Sequence, residues 1–499
     1  MTSTSGVPGH GPQTALGIDL GTSSVKAVIT DAAGQVLSVA SAGYPVVAVQ
    51  PGWAESDPGD WWEAVGAAVR QGVARVGAKP VAIGLSGQMH GLVMTSVDGE
   101  ALRPALLWAD GRASAQLSAY RRLGPAALKR LANPLTPGMT GPLLLWVAEH
   151  ERDIYDRARW ALQPKDWLRQ RLCSQAFAEP SDASATLLYN VPGDCWDTAT
   201  IAQLGLRAEL FAPLLPSGAH LAGQLTGTAA AHLGLDGGTP IAAGAADTAA
   251  AMLGSGLVRT GELQLTIGTG AQLVTPCVLS DAAPDAGIHL YRTALDTGWY
   301  AMAATVNAGL ALNWARSILN ASWEELYAAA ERAPEPGAPL FLPHLVGERT
   351  PYLDPTMRGA WTGLGLGHQR STLLYAALEG VAFAIRDAFD ALPGSDAADH
   401  LRLAGGGSTS DAWRQMLADV LELPLHAVDV PAASGRGAAL LGAAVAGMVS
   451  TADIQGPLAP VARPVAEPTA AAGEHFLNRR GEFHRIIEAL RCPGKGELS

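Results

Sequence analysis

Cysteine is scarce in this chain: Cys173, Cys195, Cys277 and Cys492 are the only four in 499 residues. They lie far apart and form no C-x-x-C pair, which gives no metal framework and suits a reducing compartment. Basic residues are also in short supply, with 34 Lys and Arg against 46 Asp and Glu and a net charge of −12. That balance argues against a nucleic-acid binder, which needs a basic face. It does not exclude a phosphorylated ligand, because a few local donors can hold one. Long apolar runs are missing; the longest, near 437–449, falls short of the ~20 residues a bilayer span needs. The first fourteen residues lack the basic start and apolar core of a signal peptide, so they read as a floppy tail on a cytoplasmic protein. Neither G-x-x-x-x-G-K-[ST] nor G-x-G-x-x-G occurs. Any nucleotide must therefore be held by separate glycine turns.

What is present is a folded chain, 48% hydrophobic and 16% charged, long enough for two or more domains. Its organising stretch is Gly17-Ile-Asp19-Leu-Gly21-Thr22-Ser23-Ser-Val-Lys26. An apolar strand meets an acid, turns through small residues and leaves as an alternating β-branched strand. Such a turn can offer amides and hydroxyls to phosphate oxygens. The neighbouring Asp19 can hold Mg²⁺ through water. The plain alternative is an ordinary hairpin. The pattern returns at Thr266-Ile-Gly268-Thr269-Gly270. Two hairpins so far apart suggest a duplicated architecture in which each half supplies one phosphate loop to a shared cleft.

Other stretches frame a candidate site. Asp57-Pro58 with Asp60 opens a helix that buries Trp62, Val65, Val69, Val73 and Val76. A buried strand from Pro80 ends in Ser86-Gly-Gln-Met89-His90-Gly, the place where open α/β sheets put ligand contacts. His90 also reads as a plain loop histidine. Leu102–Arg112 reads as an apolar strand with Trp108 in the core and an Asp110–Arg112 turn pair. Residues 113–235 read as helices and loops, with Pro180-Ser-Asp182-Ala-Ser184 among them, shaping a substrate cleft. Pro240–Ala246 is a small-residue strand running into Asp247-Thr248. Asp247 is either a helix N-cap or a carboxylate aimed at a substrate hydroxyl. Leu401–Ala404 opens into Gly405-Gly406-Gly407 before a helix, which lets backbone approach a flat or phosphorylated ligand. Residues 450–473 read as irregular, and His475–Leu490 as a terminal amphipathic helix.

These strings together resemble the FGGY carbohydrate kinases, members of the hexokinase, actin and heat-shock-chaperone ATPase superfamily, from Leu16 to Leu490. GIDLGTSSVK resembles the first phosphate motif, LTIGTGAQL the second, and LAGGGSTSDAWRQMLADVLELPL the adenosine motif. SGQMHG resembles the xylulokinase branch, and AGAADTAAAMLGSG the segment with the catalytic aspartate. The resemblance implies an α/β, two-domain actin/hexokinase-like (ribonuclease H-like) fold with a central cleft. It implies an N-terminal domain over 15–255, a C-terminal domain over 256–490 and a short tail over 491–499. It also implies that Asp247 is the general base and that Asp19 positions metal or phosphate. Met89, His90 and Thr248 would contact sugar. Thr22, Ser23, Gly268, Thr269, Gly405, Gly406 and Gly407 would hold ATP, with Mg²⁺ near Asp19 through water.

The implied reaction is ATP-dependent phosphorylation of D-xylulose to its 5-phosphate. The alternatives are another ketose or polyol, such as ribulose, and a non-catalytic sugar or nucleotide sensor. A homodimer is implied by resemblance alone, and neither nucleic acid nor membrane is an expected partner. Three positions depart from the family pattern on the sugar side or before it: Thr248 and Ala109 stand where Asn is usual, and Leu143 where Lys is common. Gly270 stands where Ser is common in the second phosphate motif.

Overall fold

The computed structural model describes residues 13–281, 287–331 and 337–491. Most of the expected N-terminal tail, residues 1–12, lies outside the described residues, as do 492–499 with Cys492. Thr14 already belongs to the first strand. The chain divides into two compact units. Unit one runs to Val258 and adds Tyr291–Trp299 and Val430–Pro460; unit two holds the remainder.

In unit one, β1 (Thr14–Leu20) and β2 (Ser24–Asp31) form the antiparallel hairpin that the strand–turn–strand pattern predicts, with Asp19 opposite Lys26. The third strand, β3 (Val36–Gly43), extends it on the β2 side. On the other side β4 (Ala82–Gly87) runs parallel to β1, placing Ser86 beside Asp19. Strands β5 (Leu221–Gln224), β6 (Pro240–Ala242) and β7 (Ala245–Ala246) complete the sheet, the last pairing Ala245 with Ser86. The expected single strand over 240–246 is thus two short ones. The chain breaks between them at Gly244, whose φ of 81° only glycine adopts readily.

Helix α1 (Pro58–Val76) starts as its sequence predicts, with Asp57 accepting from Gly59 N and Pro at the first turn. Its buried aromatic is Trp61, not Trp62; Trp62 stacks on His232 at 4.4 Å instead. The helix Ala433–Val445 packs on the same sheet backbone to backbone. A Cβ at Gly17 would stand 1.9 Å from Gly435 O, and one at Gly84 1.8 Å from Ala438 O. No side chain fits such a gap, which is why the facing positions are Gly17 and Gly84 on the strands and Gly435, Ala438, Ala439 and Gly442 on the helix.

Unit two repeats the plan. The hairpin β8 (Leu263–Ile267) and β9 (Ala271–Cys277) is extended by β10 (Trp299–Thr305) beside β9. On the other side β11 (Leu401–Ala404) runs parallel to β8, and β12 (Leu425–Ala427) parallel to β11. A hairpin with a third strand on one side and parallel strands on the other is the arrangement of β1–β4 again.

Three expectations need correction. Leu102–Arg112 is strand only at Ala105–Leu106, because its proline and charged turn interrupt the ladder. Residues 113–235 include short strands, such as Trp160–Leu162. Residues 450–473 are not irregular: they hold a capped helix at Thr451–Gln455, a strand at Arg463–Ala466 and the start of the terminal helix Ala470–Arg491.

Candidate active site

In unit one, β1, β4 and β7 end side by side, and two carboxylates stand at those ends. Asp19 is buried and accepts a 3.0 Å hydrogen bond from Ser86 Oγ. Burial raises its carboxyl above the ordinary range, while Lys26 and Ser86 pull it back. Asp247 follows β7 directly as the first residue of α2 (Asp247–Ser255). It is not the cap: the residue preceding the helix is Ala246, and no side chain caps the end. Asp247 is half-buried. Burial first, then the charge of Asp19, pushes its carboxyl up to about 7. Thr248 Oγ1 donates to Asp247 Oδ1 at 3.1 Å and partly offsets that rise. A carboxylate near neutrality at the end of parallel strands is suited to taking a proton from a hydroxyl.

The turn after Asp19 is held from several sides. Gly21 O accepts from Tyr44 Oη at 2.5 Å and from Gln88 Nε2 at 3.2 Å. Thr22 Oγ1 accepts from Trp108 Nε1 at 3.0 Å, and Ser23 is exposed. Trp108 was expected in the core, yet it is 45% exposed. Its polar edge reaches Thr22 while its backbone lies against Gly138. Asp110 and Arg112 exceed a surface turn pair: both are nearly buried, 2.8 Å apart, and the guanidinium lies 3.6 Å over the Trp53 ring. Met89 is buried. His90 is half-buried with a left-handed φ of 72°, and its Nδ1 lies 2.8 Å from Ala185 O.

Unit two brings its own residues to one cavity of about 960 Å³, lined by Gly268, Thr269, Gly309, Trp314, Gly406 and Gly407 among others. The Gly268–Gly270 turn sits on the N-terminus of α3 (Gly309–Ile318): Gly309 N donates to Gly268 O at 3.1 Å and Leu310 N to Thr269 O at 2.8 Å. A Cβ at Gly270 would lie 2.4 Å from Thr305 O, so this chain admits only glycine there. Gly405 opens the second turn with a φ of 89°, pressed against Ile267 O, and does not line the cavity. Trp323 and Tyr327 stack at 5.7 Å on one wall. These aromatics carried no motif. Only their crowding between Trp314 and Tyr327 hinted at a flat-ligand wall.

Each unit thus gathers part of the expected set: Asp19, Thr22, Ser23, Met89, His90, Asp247 and Thr248 in one, the glycine turns in the other. Among the described residues no three His, Cys, Asp or Glu side chains form a metal-binding group, and no helix is long and apolar enough to cross a membrane.

Two α/β units of repeated plan, one with paired carboxylates at its strand ends and one with a glycine-lined cavity, define a phosphotransferase-type scaffold. Residues 14–254 match the N-terminal domain, and 263–446 the C-terminal domain, of the FGGY family of carbohydrate kinases. The chain belongs to that family and is an ATP-dependent sugar kinase. It is 34% identical to the xylulose kinase of Escherichia coli over 409 residues, 81% of this chain and 84% of that one. The crystal structure of a xyloylose kinase from Brucella ovis superposes with a TM-score of 0.89 at 34% identity, covering 96% of this chain and 99% of that one. The gluconokinase of Bacillus subtilis is 28% identical over 460 residues, 88% of each chain.

Proposed function

We propose that the chain transfers the γ-phosphoryl group of ATP to the primary hydroxyl O5 of D-xylulose, with Asp247 as general base. The observation that carries this reading is the Asp247 carboxyl, half-buried at the strand ends and pushed up to about 7. The O5 proton moves to Asp247, the O5–P bond forms, the bond from Pγ to the β-phosphate oxygen breaks, and ADP leaves with that oxygen. General-base help is worth roughly 10²–10⁴-fold. Positioning and charge stabilisation supply the rest, because phosphoryl transfer leaves little covalent work for the protein.

Thr248 Oγ1 holds one oxygen of Asp247, which leaves the other for the sugar. Met89 and His90 contact the sugar carbon chain and hydroxyls. Thr22, Ser23, Gly268 and Thr269 hold phosphates, and Gly406 and Gly407 lie against the nucleotide, with Gly405 setting the turn that presents them.

Mg²⁺ fits the residues present. The charge of Asp19 is strong enough at Asp247 to raise its carboxyl, and a cation relieves that repulsion. One or two carboxylates suffice when a nucleotide supplies the remaining oxygens. Asp19 would hold the ion through water, and the ion supplies charge neutralisation of the phosphates.

The test is a sugar panel in a coupled ADP-release assay with ATP and Mg²⁺, run on the wild type and on Asp247→Ala. D-Xylulose should give the highest kcat/KM, and the variant should lose most turnover while still binding sugar. Near-wild-type turnover of the variant removes Asp247 from its role. A higher kcat/KM for ribulose, gluconate or a polyol moves the substrate, as Thr248 and Ala109 in place of the usual Asn residues would allow.

A further inference from the structure

Beneath the carboxylates of unit one lies a group of charges that the reaction does not use. Lys165 sits on the helix Pro164–Cys173. Its Nζ is 2.6 Å from Asp166 Oδ1, 3.2 Å from Asp182 Oδ2 and 3.3 Å from Glu179 Oε1. Arg169 is 2.9 Å from Asp166. All five side chains are at most 2% exposed. Burying five ionisable groups costs several kcal/mol per ion before their mutual attraction repays it. Such a cluster is a poor source of stability, so what it holds in place is the more informative property. Burial holds the Asp182 carboxyl well above its usual range, and a proton there brings two cations and two carboxylates into balance.

The cluster and the turn it anchors grip the segment that leads into Asp247 at two points. Arg169 donates to Ala243 O at 2.5 Å, just after β6. Ser181 Oγ accepts from Ala246 N at 2.9 Å, one residue before Asp247. The single hydroxyl proton of Ser181 goes to the Glu179 carboxylate at 2.8 Å. Glu179 in turn accepts from Ser181 N and Asp182 N, which fixes the short turn that carries Ser181. Between the two grips lies Gly244 with its left-handed φ. A Cβ at Gly87 in the neighbouring strand would touch Lys165 Cβ at 2.9 Å. The same turn ends at Ala185, whose carbonyl meets His90 Nδ1.

We infer that the turn Glu179–Ala185, anchored by Lys165, positions Asp247 through Ser181 and His90 through Ala185, so that Ser181 is a positioning residue for phosphoryl transfer. The inference rests on Asp247 being the base. Near-attack geometry is steep in distance, and a shift of about 1 Å costs about 10²-fold. A Ser181→Ala change leaves the Ala246 N–H without its acceptor and frees the strand end that aims Asp247.

The experiment is a double-mutant cycle of Ser181→Ala with Asp247→Ala, on the full chain with D-xylulose, ATP and Mg²⁺. Ser181→Ala alone should lower kcat about 10- to 100-fold with sugar KM within about twofold. In the Asp247→Ala background the same change should cost less than about twofold, because the residue it positions is gone. Equal losses in both backgrounds, a change confined to KM, or wild-type kcat in Ser181→Ala each overturn the inference and leave the base assignment standing. Near-wild-type turnover in Asp247→Ala overturns both together. If Ser181→Ala does not fold, Glu179→Gln carries the test, since it keeps an acceptor for Ser181 while weakening the anchor. Its kcat should fall about 3- to 10-fold, and only in the Asp247 background; an unchanged kcat overturns the inference.

Discussion

Ser86 Oγ donates to Asp19 Oδ1 at 3.0 Å across two parallel strands, from a side chain with no solvent exposure. Together with the charge of Lys26 it holds down a carboxyl that burial raises. Ser86→Ala should therefore raise the Asp19 carboxyl further. If Asp19 must be ionised to position metal and phosphate, the acid side of the kcat–pH profile shifts to higher pH in the variant. A kcat–pH profile of the variant against wild type measures this. An identical profile would show that Asp19 needs no such help.

Asp247 gives a pH dependence of opposite sense for activity and stability. Its carboxyl is pushed up to about 7, so a general base there gives a kcat/KM that rises about tenfold per pH unit below 7 and levels above it. For stability, a carboxyl whose folded pKa lies above its unfolded value binds more protons folded than unfolded between about pH 4 and 7. Stability contributed by the protonated form is then lost as pH rises through 7. Asp247→Asn, neutral throughout, should gain stability over wild type at pH 8 by about 2–4 kcal/mol and gain little at pH 4. Urea midpoints at the two pH values check the sign.

Much of this was readable beforehand, and particular residues show why. The hairpins around Gly21 and Gly268 join apolar strands through small-residue turns, and a strand–turn–strand has few other ways to pair. Asp247 follows a small-residue strand, and the break at Gly244 aims it. The apolar run Ala105-Leu-Leu-Trp points Trp108 to the core; its indole N–H needs a partner, and it finds Thr22 outside the core. Ser181 reads in the sequence only as part of a polar string, since its partner Ala246 lies 65 residues away and no local pattern announces a tertiary bond. The aromatic wall of Trp314, Trp323 and Tyr327 is hidden for a similar reason: Trp314 stands on one helix and Trp323 and Tyr327 on the next, and no local pattern says that both line one cavity.

The cavity of unit two predicts a separable effect on nucleotide. Trp323 and Tyr327 stack there, and both line the cavity with the Gly406–Gly407 turn. Trp323→Ala removes a flat wall worth about 0.5–1.5 kcal/mol beyond its buried area. The KM for ATP should rise about 3- to 10-fold while the sugar KM stays within twofold. Initial rates with each substrate varied in turn separate the two, and a matched rise in both constants would place Trp323 outside nucleotide binding.

Gly84 offers the severest test of how the strands are held. A Cβ there would stand 1.8 Å from Ala438 O and 2.8 Å from Gly442 N. Both are helix backbone, so no rotamer change relieves the clash. The strand is central, pairing with β1 on one side and with β6 and β7 on the other. Moving it displaces Ser86 and with it the partner of Asp19. Gly84→Ala should cost about 3 kcal/mol or more and lower kcat in any protein that remains folded. Ala82→Gly, two residues earlier on the same buried strand, creates no overlap and should cost only about 1 kcal/mol. Urea midpoints of the two variants test the contrast: comparable losses would mean that strand flexibility matters at this position more than the close approach of the helix.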